Sequence, residues 1–243
     1  MVFRVLKSVL LFLSLGTPFV LLEQKFAAHR LAYPAVLARD VSAYVVVAFL
    51  GVPTGAIMNS FLEHVPVLSL FLRVPVLSPW ASVPLAIVGS DCAMYWTHRL
   101  IHTAPLWCVH RWHHAPRHMY WLAGARASFT QGVVYSFPFL VYIGFRVPQE
   151  ALSGYALGGI LLNHWMHSNL GFKCRWLEWI FVTPRIHHIH HSSDPAHFGR
   201  NFGSLLSIWD RMFGTFVNPD EVKKPLQFGI PEAVPGPRLI AGV

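Results

Sequence analysis

Long apolar runs separated by brief polar punctuation organise this chain. The first, Val9–Leu22, follows Arg4 and Lys7. The next, Val41–Met58, is about long enough to span a bilayer, as is Ser82–Trp96 if extended upstream through Val65–Pro79. Pro66, Pro75 and Pro79 break that upstream stretch into re-entrant or interfacial pieces. Gly132–Phe145 and Ala151–Trp165 form a further pair around a tight turn at residues 146–150. From Gly171 the sequence becomes mixed, aromatic and charged, and it closes in a Pro/Gly-rich tail from Pro225. The pattern predicts an all-α fold: an integral membrane helical bundle with paired transmembrane helices, in one domain over residues 1–243. No convincing A-x-A cleavage site follows Val9–Leu22, so a retained anchor or interfacial helix is expected there rather than a signal peptide.

Composition agrees with the membrane reading. Hydrophobic residues make up 54% of the 243 and charged ones 12%, with mean hydropathy +0.45, too apolar for a soluble globule of this length. Cys92, Cys108 and Cys174 are odd in number and widely spaced, which suggests neither a disulfide framework nor a thiolate metal site. A net charge of +8 raises nucleic acid as a partner, but the basic residues are scattered among aromatics and apolar runs. Loops kept on the cytoplasmic side explain them, and nucleic acid is set aside. The segment His98–Phe129 carries Arg99, Arg111, Arg117 and Arg126 and no acid, so it should be cytoplasmic. An even number of later spans then puts Lys25, Arg30 and Arg39 inside. Arg4 and Lys7 would then lie outside if the first run crossed fully, which favours a partial or interfacial first segment.

The chemistry lies in histidine. Ten of the fifteen fall in four clusters: His98-x3-His102, His110-x2-His113-His114, His164-x2-His167 and His187-x2-His190-His191. Residues three and four apart share a helix face, so each cluster can aim its imidazoles at a common point. His29, His64 and His118 lack such partners and read as ordinary packing. His188 and His197, next to or just after a cluster, are harder to set aside, although His188 points away from the face of its neighbours. Ten donors exceed what one tetrahedral zinc uses and suit two metals with room for a further ligand. That points to a two-metal redox site gathered in a cytoplasmic cap. A di-zinc hydrolase would need a carboxylate base as in H-E-x-x-H, which neither triplet contains. A haem-binding or metal-transport protein would place its histidines near mid-membrane, whereas these flank the spans.

Asp91, Tyr95, His98 and His102 form one helix stripe leading to the clusters. A carboxylate on that stripe is costly unless paired, and accepting the outer ring N–H of a ligand would pair it. An interfacial Asp91 meeting Arg99 or water is the alternative. Asn201 is a candidate for supporting a ligand by hydrogen bonding. Trp209–Gly214 reads as an amphipathic helix end stopped by glycine, a lid or packing element.

The order of these motifs resembles the fatty acid hydroxylase/sterol desaturase superfamily of membrane di-iron enzymes. The resemblance runs from about Asp91 to Thr215, within a motif-bearing core of residues 82–217. It rests on Asp91-x3-Tyr95-Trp96-x-His98-Arg99-x2-His102 and His110-Arg-Trp-His113-His114. It continues with His167-Ser168-Asn169, Thr183-Pro184-x2-His187-x2-His190-His191-Ser192, and Asn201-Phe202-Gly203 leading to Trp209-Asp210-Arg211-x-Phe213-Gly214-Thr215. His167 matches the family signal, while His164 is either a ligand or its buried neighbour. The chain departs from many family members after Arg126, where Ala127-Ser128-Phe129-Thr130-Gln131 stands in place of a His-Pro followed by an acid. The resemblance implies two ferrous ions, O2 as co-substrate and attack on a lipid C–H bond, giving a hydroxyl group or a double bond. The chain carries no nucleotide, iron–sulfur or covalent haem motif. Electrons from NAD(P)H should therefore arrive through a separate donor, a ferredoxin or a cytochrome b5-like protein, steered by Arg111, Arg117, Arg126, Lys173, Arg175 and Arg185.

Overall fold

The computed structural model describes residues 2–64, 77–223 and 225–243. Among them regular structure is helical, apart from three isolated bridges such as Ala27–Leu170. Helix α1 spans Val2–Phe26 and α2 spans Tyr33–His64. Both are long and apolar enough to cross a membrane. For α1 this changes the expected picture, because regular helix extends well beyond Val9–Leu22 at both ends and carries Pro18 in its interior. The stretch expected as re-entrant pieces lies outside the described residues over 65–76. Helix α3, Pro79–Ile101, then begins with proline in its first turn, where the missing N–H is harmless, and is capped by His102.

A short helix, α4 (Trp107–His110), leads into a helical turn over 111–114. The first arm of the expected hairpin is interrupted: α5 (Phe129–Ser136) and α6 (Leu140–Gly144) are joined by a 3-10 turn at Phe137–Phe139, where Pro138 disrupts the α-helical ladder. Ser128 caps α5 by accepting from the Gln131 N–H. The second arm is α7, Gln149–His167. Four short helices follow: α8 (Arg175–Ile180), α9 (Pro184–His190), α10 (Ile208–Met212) and α11 (Gly236–Ala241).

Helix α1 packs on α2 and α7, α5 on α2, α6 on α3, and α9 on α7. The largest buried apolar cluster joins Phe12 and Phe19 of α1 to Met119, Tyr120, Trp121 and Leu122. Gly16 makes this possible, since a Cβ there would collide with the Trp121 ring.

Two buried acids tie the apolar helices to the loops. Glu23, at the end of α1, accepts from the backbone N–H of Trp121 at 2.7 Å and of Asn169 at 2.8 Å, and from the Tyr33 hydroxyl. Asp40 of α2 accepts from Tyr120 Oη at 2.6 Å and pairs with the guanidinium of Arg126. A carboxylate among apolar helices is retained only when so paired.

Candidate metal centre

Nine of the ten clustered histidines converge, and on two points rather than one. His98, His102, His110, His114 and His190 form one group, and His113, His167, His187 and His191 the other. Within each group the ligand nitrogens lie within 4.8 Å of one another.

Helical geometry explains the partition. Residues i and i+4 differ by about 40° around a helix, whereas i+3 sits about 60° to the other side of i. The i/i+4 pairs His98/His102, His110/His114 and His187/His191 each serve one group. The third member of each triplet, His113 or His190, leans across to the other. Each H-x-x-H-H triplet thus straddles both sites and fixes them side by side, which corrects the expectation of one focus per cluster.

His164 is the exception. Its Nδ1 faces the Trp121 carbonyl at 3.2 Å and its Nε2 the Phe12 carbonyl at 3.0 Å, with the Phe12 ring edge-on at 4.3 Å. Both nitrogens are engaged with backbone, and the ring joins α7 to α1. Of the two readings open for it, the structure gives the buried neighbour.

Backbone carbonyls set the tautomers. His98 Nδ1 donates to Phe202 O at 2.8 Å, His190 Nδ1 to Arg200 O at 2.9 Å, His113 Nδ1 to Arg126 O at 3.0 Å and His167 Nδ1 to Asn163 O at 2.8 Å. A carbonyl only accepts, so each of these rings carries its proton on Nδ1 and turns a lone pair outward from Nε2. Yet His113 Nε2 and His167 Nε2 lie 3.2 Å apart. No hydrogen is available between them, and two lone pairs at that separation repel.

A shared cation would resolve the conflict. Metal–imidazole bonds of about 2.1 Å at right-angled to tetrahedral openings place neighbouring nitrogens about 3.0–3.4 Å apart. The Nε2 contacts from His167 to His113, His187 and His191 are each 3.2 Å, and His187 to His191 is 3.1 Å. In the other group, the buried Nε2 atoms of His102, His114 and His190 have no hydrogen-bond partner. The residues therefore fit two metal ions. All donors are neutral imidazoles, a set that suits iron, copper, nickel or zinc.

Burial keeps these rings neutral. It pushes His113 down to about 4, and holds His110, His114, His187, His190 and His191 well below the ordinary histidine range, with mutual repulsion adding to the effect. Phe202 packs on His98, His102 and His190, and Trp107 on His102 and His114, so aromatic surface excludes water from the five-histidine group.

Asp91 touches no ligand, contrary to the sequence expectation. Its carboxylate accepts from the N–H groups of Leu205 at 2.9 Å and Leu206 at 3.0 Å and from Trp209 Nε1 at 2.8 Å. Asp210 grips the same loop, accepting from Phe202 N–H at 2.7 Å, Gly203 N–H at 2.8 Å and Thr215 Oγ1 at 2.7 Å; burial pushes its carboxyl upward against these bonds. The two acids hold the loop that delivers the Phe202 carbonyl to His98. Asn201 acts likewise without meeting a histidine. In the left-handed region at φ 54°, it donates to Ile186 O and Val217 O and accepts from Val217 N–H, flanked by the carbonyls of Arg200 and Phe202. Its short polar side chain suits that backbone.

Of the remaining histidines, His188 is buried against the Phe228 ring and His197 faces Ser192 Oγ at 3.0 Å, while His29, His64 and His118 are exposed. Glu23 and Asp40 escape the sequence reading, although an acid within or beside an apolar run is a signal in itself, and Asp210 enters it only as part of the family motif. The expected basic steering face is reduced. Arg126 is buried against Asp40, Lys173 and Arg175 pair with Asp220, Arg185 pairs with both Asp220 and Glu178, and Arg111 donates to the Val243 carbonyl.

With that geometry in place, the fatty acid hydroxylase family profile matches residues 83–215, more than half the chain and all nine converging histidines. The chain belongs to the fatty acid hydroxylase family. Among its relatives, an alkylglycerol monooxygenase from Xenopus tropicalis is 34% identical over 62% of this chain and 33% of its own length. The ornithine lipid hydroxylase OlsE of Rhizobium tropici is 30% identical over 56% of this chain and 42% of its own. Human lathosterol oxidase is 29% identical over 57% and 46%. The chain therefore spans a third to a half of the length of these family members. No solved structure matches it.

Proposed function

We propose that this protein is a membrane-bound di-iron oxidoreductase that uses O2 and external electrons to hydroxylate or desaturate a C–H bond of a lipid. The observation that carries the reading is the pair of buried imidazole groups, in which His113 and His167 present lone pairs to each other across 3.2 Å. Family membership supports iron, and the relatives' names concern an alkylglycerol, an ornithine lipid and a sterol, so the substrate class is a membrane lipid.

His98, His102, His110, His114 and His190 would hold one iron, and His113, His167, His187 and His191 the other. Bound there, the pair supplies O2 activation and the oxidising power for an unactivated C–H bond. The chain's own part is positional. Carbonyls of Arg126, Asn163, Arg200 and Phe202 hold four rings with their lone pairs inward. Phe202 and Trp107 keep bulk water from the site. In this reading the histidine cap faces the cytoplasm on a multi-pass bundle, and a ferredoxin or cytochrome b5-like donor brings the electrons.

The test is comparative lipid mass spectrometry of cells with and without the gene, paired with turnover by purified iron-loaded protein, reductase and donor. A gain of one oxygen or a loss of two hydrogens in one lipid class is the expected result. No change in any lipid would overturn the reading. Turnover with NAD(P)H and O2 alone would remove the separate donor from it.

A further inference from the structure

We propose that the face built by α8 and α10 rests in the headgroup layer of the bilayer, its aromatic side chains reaching the acyl boundary and its cations meeting anionic phospholipid. This inference rests on the membrane reading above. It concerns the outward side chains of these helices, which take no part in the metal centre, whereas the inward Trp209 and Asp210 hold its supporting loop.

Trp176 and Trp179 stand three apart on α8, on one face of the helix, and are 69% and 65% exposed. Ile180 is exposed beside them. The neighbouring α10 adds Ile208 and Met212, also exposed. The two helices form one surface: Ser207 N–H donates to Ile180 O at 3.0 Å, and Arg211 donates to Glu178 O at 3.2 Å. The Arg211 guanidinium lies between rings, 4.2 Å from the centroid of Trp179 and 3.6 Å from that of Phe216. Trp179 is thus held in place while its outer face stays open.

Two observations select lipid as the occupant. The first is continuity. Phe213, just after α10, packs on Trp96 of α3 at 4.7 Å, and Trp96 and Leu100 continue the exposed apolar surface along that helix. On the other side, only seven residues separate α8 from the end of α7, whose Leu157 and Leu161 are exposed. The second is charge. Lys173, Arg175, Arg185 and Arg211 accompany the patch against the carboxylates of Glu178 and Asp220, leaving it cationic. Tryptophan with basic neighbours is what the bilayer interface favours, the ring at the headgroup level and the cation at phosphate. An acidic electron donor fits less well, because the exposed centre of the patch, Trp176, Trp179, Ile180, Ile208 and Met212, is aromatic and aliphatic.

The experiment uses the full chain in nanodiscs of mixed phosphatidylcholine and phosphatidylglycerol. A variant with Cys92→Ala, Cys108→Ala and Cys174→Ala that keeps its metal serves as background. Spin labels are placed through Trp176→Cys, Trp179→Cys and Met212→Cys, with Phe49→Cys as a control on α2 and Glu221→Cys as an aqueous reference. Collision with O2 and with a water-soluble nickel chelate is then measured at each site. At the three patch sites the nickel-to-oxygen ratio should fall several-fold below that at residue 221. Ready access to nickel there would overturn the proposal, and so would shielding from both reagents, the signature of a protein partner or a second copy. If Phe49 is also open to nickel, the membrane reading itself fails. If Phe49 is oxygen-rich while the patch is open to nickel, only the present inference fails.

Discussion

Asp40 and His113 are joined through a single residue. The carboxylate of Asp40 pairs with the Arg126 guanidinium, and the Arg126 carbonyl takes the Nδ1 proton of His113 at 3.0 Å. A ring of the four-histidine group is therefore aimed by an ion pair rooted in α2. Asp40→Asn leaves Arg126 buried without its counter-charge, a change that costs about 3–5 kcal/mol in comparable pairs. We expect a lower melting temperature and loss of metal from the four-histidine group, read by thermal denaturation and metal analysis of protein in mild detergent. Unchanged metal content in a folded Asp40→Asn protein would separate the ion pair from the site.

Metal analysis also separates the two groups. Wild-type protein should hold about two ions per chain, iron being the functional one. His113→Ala and His190→Ala should each deplete a different group and abolish turnover. His164→Ala should retain both ions, because its ring meets only the carbonyls of Phe12 and Trp121. Full activity of His113→Ala or His190→Ala would remove the assignment.

Asp91→Asn introduces an N–H donor among the three N–H groups of Leu205, Leu206 and Trp209. The loop should loosen by about 1–3 kcal/mol, the cost of a buried donor left unsatisfied. The effect on metal should be confined to the five-histidine group, through Phe202 and His98. Equal loss from both groups would show that Asp91 acts by another route.

Gly124 has no side chain because the ring of His167 occupies the space where one would lie, next to Asn163. Gly124→Ala should displace that ring and empty the four-histidine group while leaving the helices formed. Circular dichroism with metal analysis checks both halves of the statement.

Acid should unfold the metal-free protein before the loaded one. The unfolded chain protonates its histidines near 6.5, whereas folded His113 resists until about 4. Between those values the unfolded state binds more protons, so stability is full above about 6.5 and is lost as the pH falls toward 4. The other buried rings are shifted the same way and steepen the loss. Chelator-treated protein melted between pH 7.5 and 4.5 should show this decline. A flat profile would mean that the rings are not neutral in the fold.

Much of this was readable in the chain. The i/i+4 spacings located six of the nine converging histidines in pairs that share a site, and the hairpin around residues 146–150 was written in its apolar arms. His164 is ambiguous in the sequence because a spacing of three shares a face but not a depth: it sits about 4.5 Å before His167 along the helix, opposite α1 rather than the metal site. The outer partners of the rings were not legible at all. They are carbonyls of Arg126, Asn163, Arg200 and Phe202, and every residue has a carbonyl. Asp91 was correctly read as needing partners, but those came from backbone more than a hundred residues away.

Glu23 carries a consequence for the order of synthesis. Its two backbone donors, on Trp121 and Asn169, are translated 98 and 146 residues after it. Until then the end of α1 holds a carboxylate without those partners, and its seat against the rest of the bundle is provisional. A nascent chain stalled before Asn169 should therefore release α1 to alkaline extraction more readily than one stalled beyond it. The two histidine groups are completed only later still, once residue 191 has left the ribosome and the second triplet can close both.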